Sequence, residues 1–375
     1  MARRKTLLDL LDELEPSVRK AFQQALANIR SDVQFAALEA AIRSGNVGAA
    51  IEAIGLDASY FRPLEEALRT AHIAAGDFTI ADVKRRGARQ GVKVTGMFDS
   101  RNFRAEGILR QFSSDKIVEI VESTREAVRE ALTDAITRGT SPRSAALDLV
   151  GRVGPGGVRT GGVVGLDAQK AAWVRNMADA LSAENGVGVV GFDADGKPIK
   201  KFWIGRDGKL KSTFTDRDKR FDRLIVRAIK DGKSLSQADI ARSTTRYTSS
   251  LQKLRGEAIA RTELLGSLGA AQDEGINQMI ESGQFNADAV DEEWDASEDG
   301  DTRPTHAAAD GQKVKHGEAF IVGGFRMMGP GDSSLGAPAK EIIRCRCIKR
   351  ISIDFIKGLK ERLTPEELAR ARAAM

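Results

Sequence analysis

Apolar residues recur at helical spacing through most of the first 150 positions. Leu7, Leu10, Leu11 and Leu14 form one stripe, and Val18, Phe22, Leu26 and Ile29 continue it after Pro16. Ser44-Gly45-Asn46 and Gly55 punctuate the next stretch. Pro63 stands early in a further helix with Leu64, Leu68 and Ile73, and Gly76 is its expected stop. The clearest pattern is 114–138, where Ile117, Val121, Val128, Leu132 and Ile136 fall on one face. Gly139 ends it, and Ser141-Pro142 opens a short helix through Val150.

Residues 151–165 then carry seven glycines and Pro155. Arg152 and Arg159 make this stretch basic, but it lacks the Lys-Ser/Thr pair of a phosphate-binding loop, so a mobile loop or hinge is expected. A helix over 168–182 follows. Short strands are expected at 187–192, 199–204 and 210–214, separated by the hairpin signals Asp195-Gly196 and Asp207-Gly208. Such an arm in a helical protein usually touches a neighbour or a partner. Helices return over 216–281, and Ala228 to Ser234 echoes Ala135 to Ser141: in both, a helix ends at Gly and a Ser opens the next. A helix-turn-helix of that kind can enter a DNA groove, though packed helical hairpins use the same turn far more often.

From Phe285 the pattern changes to a module of about seventy residues, in which alternation over 341–351 suggests a closing strand, and Thr364-Pro365-Glu366-Glu367 opens a polar helical tail. The chain is thus expected to be mainly α. Multi-helix N-terminal and central regions carry a small β-hairpin arm and a small C-terminal α+β module. The segments are 1–150 (N-terminal helical), 151–215 (Gly-rich loop, helix and arm), 216–283 (basic helical), 284–353 (α+β module) and 354–375 (tail).

Composition adds little to this until it is located. Of 375 residues, 41% are hydrophobic and 30% charged, an ordinary soluble balance in which no apolar run reaches membrane-helix length, so folding is expected to need no membrane. The basic start, Met1 to Lys5, runs into an amphipathic acidic stretch rather than a secretory core, which suggests synthesis and folding in a cytoplasm. The net charge of +5 is unevenly spread: residues 195–261 hold 18 Lys/Arg against 8 Asp/Glu, whereas 284–301 hold 8 acidic residues and no basic one. The basic stretch fits an anionic partner, and Lys219, Arg220, Arg223, Arg227, Lys230 and Lys233 are its candidate contacts to double-stranded DNA. Aromatic residues are only 5%, which argues for phosphate contact rather than base stacking.

The only two cysteines stand together in Cys345-Arg346-Cys347. Two cysteines cannot form a disulfide framework, and a bridge between these two would be badly strained. With His306 they form a candidate zinc set, for which His316, Asp301 or Asp310 could supply a fourth ligand. The spacing is tighter than that of ordinary zinc sites, and only a turn is expected to bring the thiols together, so structural closure of the module is the favoured reading. Asp301, Arg303 and His306 could alternatively serve a metal-assisted nuclease, with His306 as general base. A structural network of Arg–carboxylate and His–backbone contacts explains the same residues. Arg261 and Glu263 are expected to head a helix and anchor it by a salt bridge, and Trp294 to anchor the module's core.

The order Arg261-Thr262-Glu263, Trp294, Asp301-Thr302-Arg303, His306, Asp310-Gly311, a Gly/Pro-rich segment and Cys345-Arg346-Cys347 resembles the phage Mu F-like head-morphogenesis family, the minor head proteins of tailed bacteriophages. Two positions depart from the family's pattern: Pro304, which restricts Arg303 to extended conformations, and Arg344, where Asn is common. The resemblance implies a non-enzymatic virion component in the capsid interior or at the portal vertex, without a cofactor, whose partners are the portal and major capsid proteins and double-stranded DNA. It gives Arg261, Glu263, Trp294, Asp301, Arg303, His306, Cys345 and Cys347 structural roles. The alternatives are a phage-borne nuclease or ADP-ribosyltransferase-like effector, since an Arg-Ser/Thr-Glu element also occurs in that second class, and a DNA-binding regulator.

Overall fold

The computed structural model describes residues 6–110, 114–154, 156–182, 186–355, 357 and 370. The expected C-terminal tail helix from Thr364 lies outside the described residues. The protein is mainly α, with only small antiparallel sheets. It divides into two compact units, each assembled from separated stretches of chain: Met1–Phe22, Pro63–Lys116 and Glu257–Met375 form one, and Gln23–Arg62 and Ile117–Gly256 the other. Among the described residues, no helix is long and apolar enough to cross a membrane.

The first helix, α1 (Leu7–Asp32), runs straight through Pro16. An interior proline costs roughly 3 kcal/mol; the apolar stripe of Leu11, Val18, Phe22 and Ile29, all fully buried, outweighs it. α2 (Phe35–Arg43) and α3 (Val47–Ile54) follow, with Asn46 capping α3 through Ala49 N–H and Gly55 closing it in the left-handed conformation. α4 (Arg62–Arg89) does not stop at Gly76. That glycine keeps helical backbone and instead admits the Phe98 ring, which lies 2.4 Å from where a Cβ would sit. The glycine that reads as a terminator is a close-packing site. α5 (Phe103–Arg110), α6 (Lys116–Thr137) and α7 (Pro142–Val150) complete the expected run, with Ser141 capping α7.

In the second unit, the glycine-rich segment 151–165 is not the free loop expected. It forms a two-stranded ladder, β1 (Arg152–Val153) with β2 (Arg159–Thr160). Its carbonyls at Gly162 and Val164 accept from Gln252 Nε2 at 2.7 and 3.0 Å, and Val163, Val164 and Leu166 are buried. A Cβ at Gly162 would lie 2.3 Å from the Gly151 nitrogen, so here glycine serves backbone-on-backbone packing. α8 (Ala168–Ser182) leads to two hairpins, β3 (Val189–Phe192) with β4 (Pro198–Lys200) and β5 (Phe202–Ile204) with β6 (Leu210–Ser212). The expected middle strand is therefore two, broken at Lys201. The second hairpin is rooted in its own chain: Phe202 meets Phe214 at 5.1 Å, and Phe214 meets Tyr247 edge-on at 5.6 Å. α9 (Asp222–Asp231) ends at left-handed Gly232, and α10 (Gln237–Glu281) is capped by Ser236 rather than by Ser234.

In the first unit, a core of Ile80, Val83, Val94, Phe98, Ile276, Met279, Phe285, Val290, Ile351, Ile353 and Phe355 joins α4 and the end of α10 to a three-stranded sheet. The sheet order is β11 (Ile348–Ile353), β7 (Val290–Asp295), β8 (Lys313–Lys315), all antiparallel. β7 alternates buried and half-buried positions, so Val290, Glu292 and Trp294 share its inner face. Between these strands lie α11 (Pro304–Ala307), the hairpin of β9 (Phe320–Val322) with β10 (Phe325–Met327), and α12 (Ala339–Ile342).

Candidate functional site

The C-terminal module is organised around Trp294, which is fully buried. The His306 ring meets its indole edge-on at 5.4 Å and Phe320 at 5.6 Å. Its backbone closes the Asp310-Gly311 turn, donating to Gln312 O and accepting from Gly311 N–H. Gly311 is left-handed there, and Asp310 Oδ1 accepts from Ala296 N–H at 2.8 Å. Asp310 is thus committed to the backbone.

Pro304 opens α11 and holds Arg303 extended at φ −63°, ψ 143°, as its position before proline requires. The Arg303 guanidinium donates to Ile343 O. One turn on, His306 points inward and is 1% exposed.

The strand expected over 341–351 begins only at Ile348. The run is broken at Arg344, a non-glycine residue with φ +55°, whose N–H donates to Thr262 Oγ1 of α10 at 3.1 Å. A left-handed residue there accounts for the asparagine that the family pattern favours. It also turns the chain so that both thiols converge on one atom. Cys345 Sγ lies 3.5 Å and Cys347 Sγ 3.4 Å from His306 Nδ1, with the two side chains 1% and 2% exposed. A turn is the condition expected for the thiols to meet, and left-handed Arg344 supplies it where a strand is expected. The pair is asymmetric: a hydrogen bond from Cys345, with His306 assisting, lowers the Cys347 pKa to about 5, whereas that same bond and burial push Cys345 up. On the far side of the imidazole, Nε2 stands 3.3 Å from Glu341 Oε2, and Thr305 Oγ1 donates to that carboxylate at 2.8 Å.

Other residues singled out in the sequence lie elsewhere. Asp301 is on the surface, where it and Asp299 pair with Arg346 at 3.1 and 2.6 Å. His316 leans on Glu292 (2.5 Å) and Asn277 (2.9 Å), away from the thiols. Arg261 and Glu263 do not head a helix but sit inside α10. Arg261 bonds Asp12 and Glu15 of α1 at 2.6 and 3.0 Å, and Glu263 lies 3.9 Å from Lys116. Within that tripeptide it is Thr262 that reaches the Cys-Arg-Cys turn.

The acidic stretch 284–301 is largely neutralised across the sheet. The register sets Asp291 opposite Lys315 and Glu293 opposite Lys313, and both pairs form ion pairs. Arg350 binds Asp295 at 2.7 Å. Innermost, Lys349 pairs with Asp273 of α10 and, at 3.0 Å, with Glu292. Burial alone would depress the Lys349 pKa, but the two carboxylates outweigh it and hold it above the ordinary lysine value. Burial opposes the charge on Glu292 too, yet His316 and Lys349 keep its pKa below the usual glutamate value. Thr262, Glu341, Arg346, Glu292 and Lys349 were given no role of their own in the sequence; for Lys349, the available signal was a cation in step with Ile351 and Ile353 on one face of the strand.

The basic residues form a different surface, in the second unit. Lys219, Arg220, Arg223, Arg227, Lys230 and Lys233 are all exposed on and around α9. Lys219 and Arg223 share a concavity with Lys209 and Lys211 of the β5–β6 hairpin. Arg220 is held by Asp218 at 2.7 Å and Arg227 by Asp231 at 3.5 Å.

Fold and site together define a helical protein whose C-terminal part is a small antiparallel module, closed by a buried Cys–His cluster and cross-strand ion pairs. Residues 219–350, from the basic turn before α9 to Arg350 in β11, match the family model described as Phage Mu protein F like protein. The match spans about a third of the chain, which therefore carries a region similar to phage Mu protein F. No curated protein and no solved structure matches the chain.

Proposed function

We propose that the protein is a minor head-morphogenesis protein of a tailed bacteriophage, acting by binding during capsid assembly at or near the portal vertex. The observation that carries this reading is the Mu F-like match over 219–350. Its partners are the portal and major capsid proteins, and its place is the virion. Packaged double-stranded DNA is contacted through phosphates by the exposed cations of α9 and the neighbouring hairpin, a surface that lies at the start of the matched region.

A binding role rather than turnover is supported by how the would-be catalytic residues are used. His306 is enclosed among thiols and Glu341, Asp301 is turned out to Arg346, and Arg261 is spent on α1. A nuclease needs its base and carboxylates to converge on a substrate.

The DNA component is tested by measuring duplex binding between low and high salt. Affinity should fall steeply, with a log–log slope of about −0.9 per phosphate neutralised. Replacing Lys219, Arg223, Arg227 and Lys230 by Gln should flatten that slope by up to about 3–4. Salt-independent binding, or an unchanged slope in the variant, removes DNA contact from the proposal.

A further inference from the structure

We propose that His306, Cys345 and Cys347 hold a zinc ion that fastens α11 to the start of β11. The donor set is the first reason: two thiols and one imidazole are the ligands zinc prefers, and both cysteines of the chain are in it. The second is distance. Zn–S bonds of about 2.3 Å and a Zn–N bond of about 2.0 Å at a tetrahedral angle put sulfur and nitrogen about 3.5 Å apart. The two sulfurs lie 3.5 and 3.4 Å from His306 Nδ1.

Hydrogen bonding is the third reason. Without a metal, neutral Nδ1 offers one lone pair to one thiol and the second thiol must bond its neighbour, so two weakly hydrogen-bonding sulfurs satisfy one another in a site that is 2% exposed or less. A dication resolves this: each thiol gives up its proton, and both sulfurs and the nitrogen share one centre. The fourth reason is what stands behind the imidazole. Glu341 is 3% exposed, anchored by Thr305 and 3.3 Å from Nε2, which makes no hydrogen bond among the described residues; a small rotation of the ring would let Nε2 donate to that carboxylate and leave Nδ1 free to coordinate. Among the described residues no further His, Cys, Asp or Glu joins the group, so the fourth position falls to a water molecule. His316, Asp301 and Asp310 each have other partners. The site stands independently of the head-protein reading.

The test is metal analysis of the untagged full chain, purified after expression in zinc-supplemented medium. One zinc per chain is expected, falling below about a tenth of an equivalent in the C345S/C347S double variant. If that variant does not fold, two measurements replace it. Cobalt titration of the metal-stripped native chain should give thiolate-to-cobalt charge transfer in the near ultraviolet with tetrahedral visible bands. Glu341→Gln, which keeps all three ligands, should lower zinc affinity about 10- to 100-fold in competition with a chelator. Less than about a tenth of an equivalent in the native chain, with no charge-transfer band on cobalt addition, overturns the assignment. So does full zinc retention in a folded double-serine variant.

Discussion

Replacing Lys349 by Met probes the most heavily charged part of the module's interior. The Lys349 and Glu292 side chains are 2% and 1% exposed, whereas Asp273 keeps 26% of its side-chain surface in water. Without the ammonium, Asp273 can turn to solvent, but Glu292 cannot. One of its oxygens keeps His316 at 2.5 Å and the other loses the ion pair with Lys349. Stranding one buried charge in this way costs about 3–5 kcal/mol. Methionine fills most of the lysine volume, so little of that loss comes from a cavity. Adding Glu292→Gln removes the stranded charge and should recover about 2 kcal/mol or more of the loss.

Urea unfolding followed by tryptophan fluorescence is the assay. Because the chain has two compact units, a whole-chain signal would mix transitions. Trp173 and Trp203 belong to the other unit and are 39% and 36% exposed; changing both to Phe leaves Trp294 as the reporter of its own unit. A K349M loss below about 1 kcal/mol, or a double variant no more stable than K349M, would refute the view that this charge is desolvated and held by Lys349.

Acid should weaken the first unit through His72, whose burial lowers its pKa to about 4 while its Nδ1 donates to Ser267 O at 3.2 Å. The folded pKa lies below the unfolded 6.5, so this stabilisation is full above pH 6.5 and is lost as pH falls toward 4. At 1.36 kcal/mol per pH unit the interval amounts to about 3 kcal/mol, and stability measured against pH should be flatter by that amount in His72→Leu; equal slopes would contradict it. Gly76→Ala should destabilise by about 1–3 kcal/mol, because the new methyl meets the Phe98 ring, with partial rescue by Phe98→Leu. A stabilised variant would mean that the helix-propensity gain of about 1 kcal/mol wins. Arg344→Gly should stabilise by about 1 kcal/mol, since glycine adopts φ +55° freely, read as a shift in urea midpoint with unchanged slope.

What could be read from the sequence was what depends on near neighbours. Helical stripes, the Ser141 cap, the break at Ser44-Gly45-Asn46, the two hairpin turns and the constraint of Pro304 on Arg303 are all local, and the structure shows each. Gly76 shows the limit: stop signal and close-packing site look identical until Phe98, twenty-two positions later, is placed against it. The glycine-rich stretch misled for the same reason, because the Gln252 amide that holds it is about ninety residues away. At the site, the cysteines, His306 and Trp294 were visible as unusual residues in a telling order. The convergence of the thiols was not, since it depends on one left-handed residue, Arg344, tied to Thr262 of a distant helix. Likewise the acidic stretch reads as a charged surface until strand register supplies Lys313, Lys315, Lys349 and Arg350.

The head-protein role is tested most directly by quantitative mass spectrometry of purified virions and procapsids of the phage that encodes the chain. The account predicts the chain in both, at few copies per particle and retained in isolated portal-vertex fractions. Its absence from both particles, with normal assembly, packaging and infection when its gene is deleted, would contradict the account.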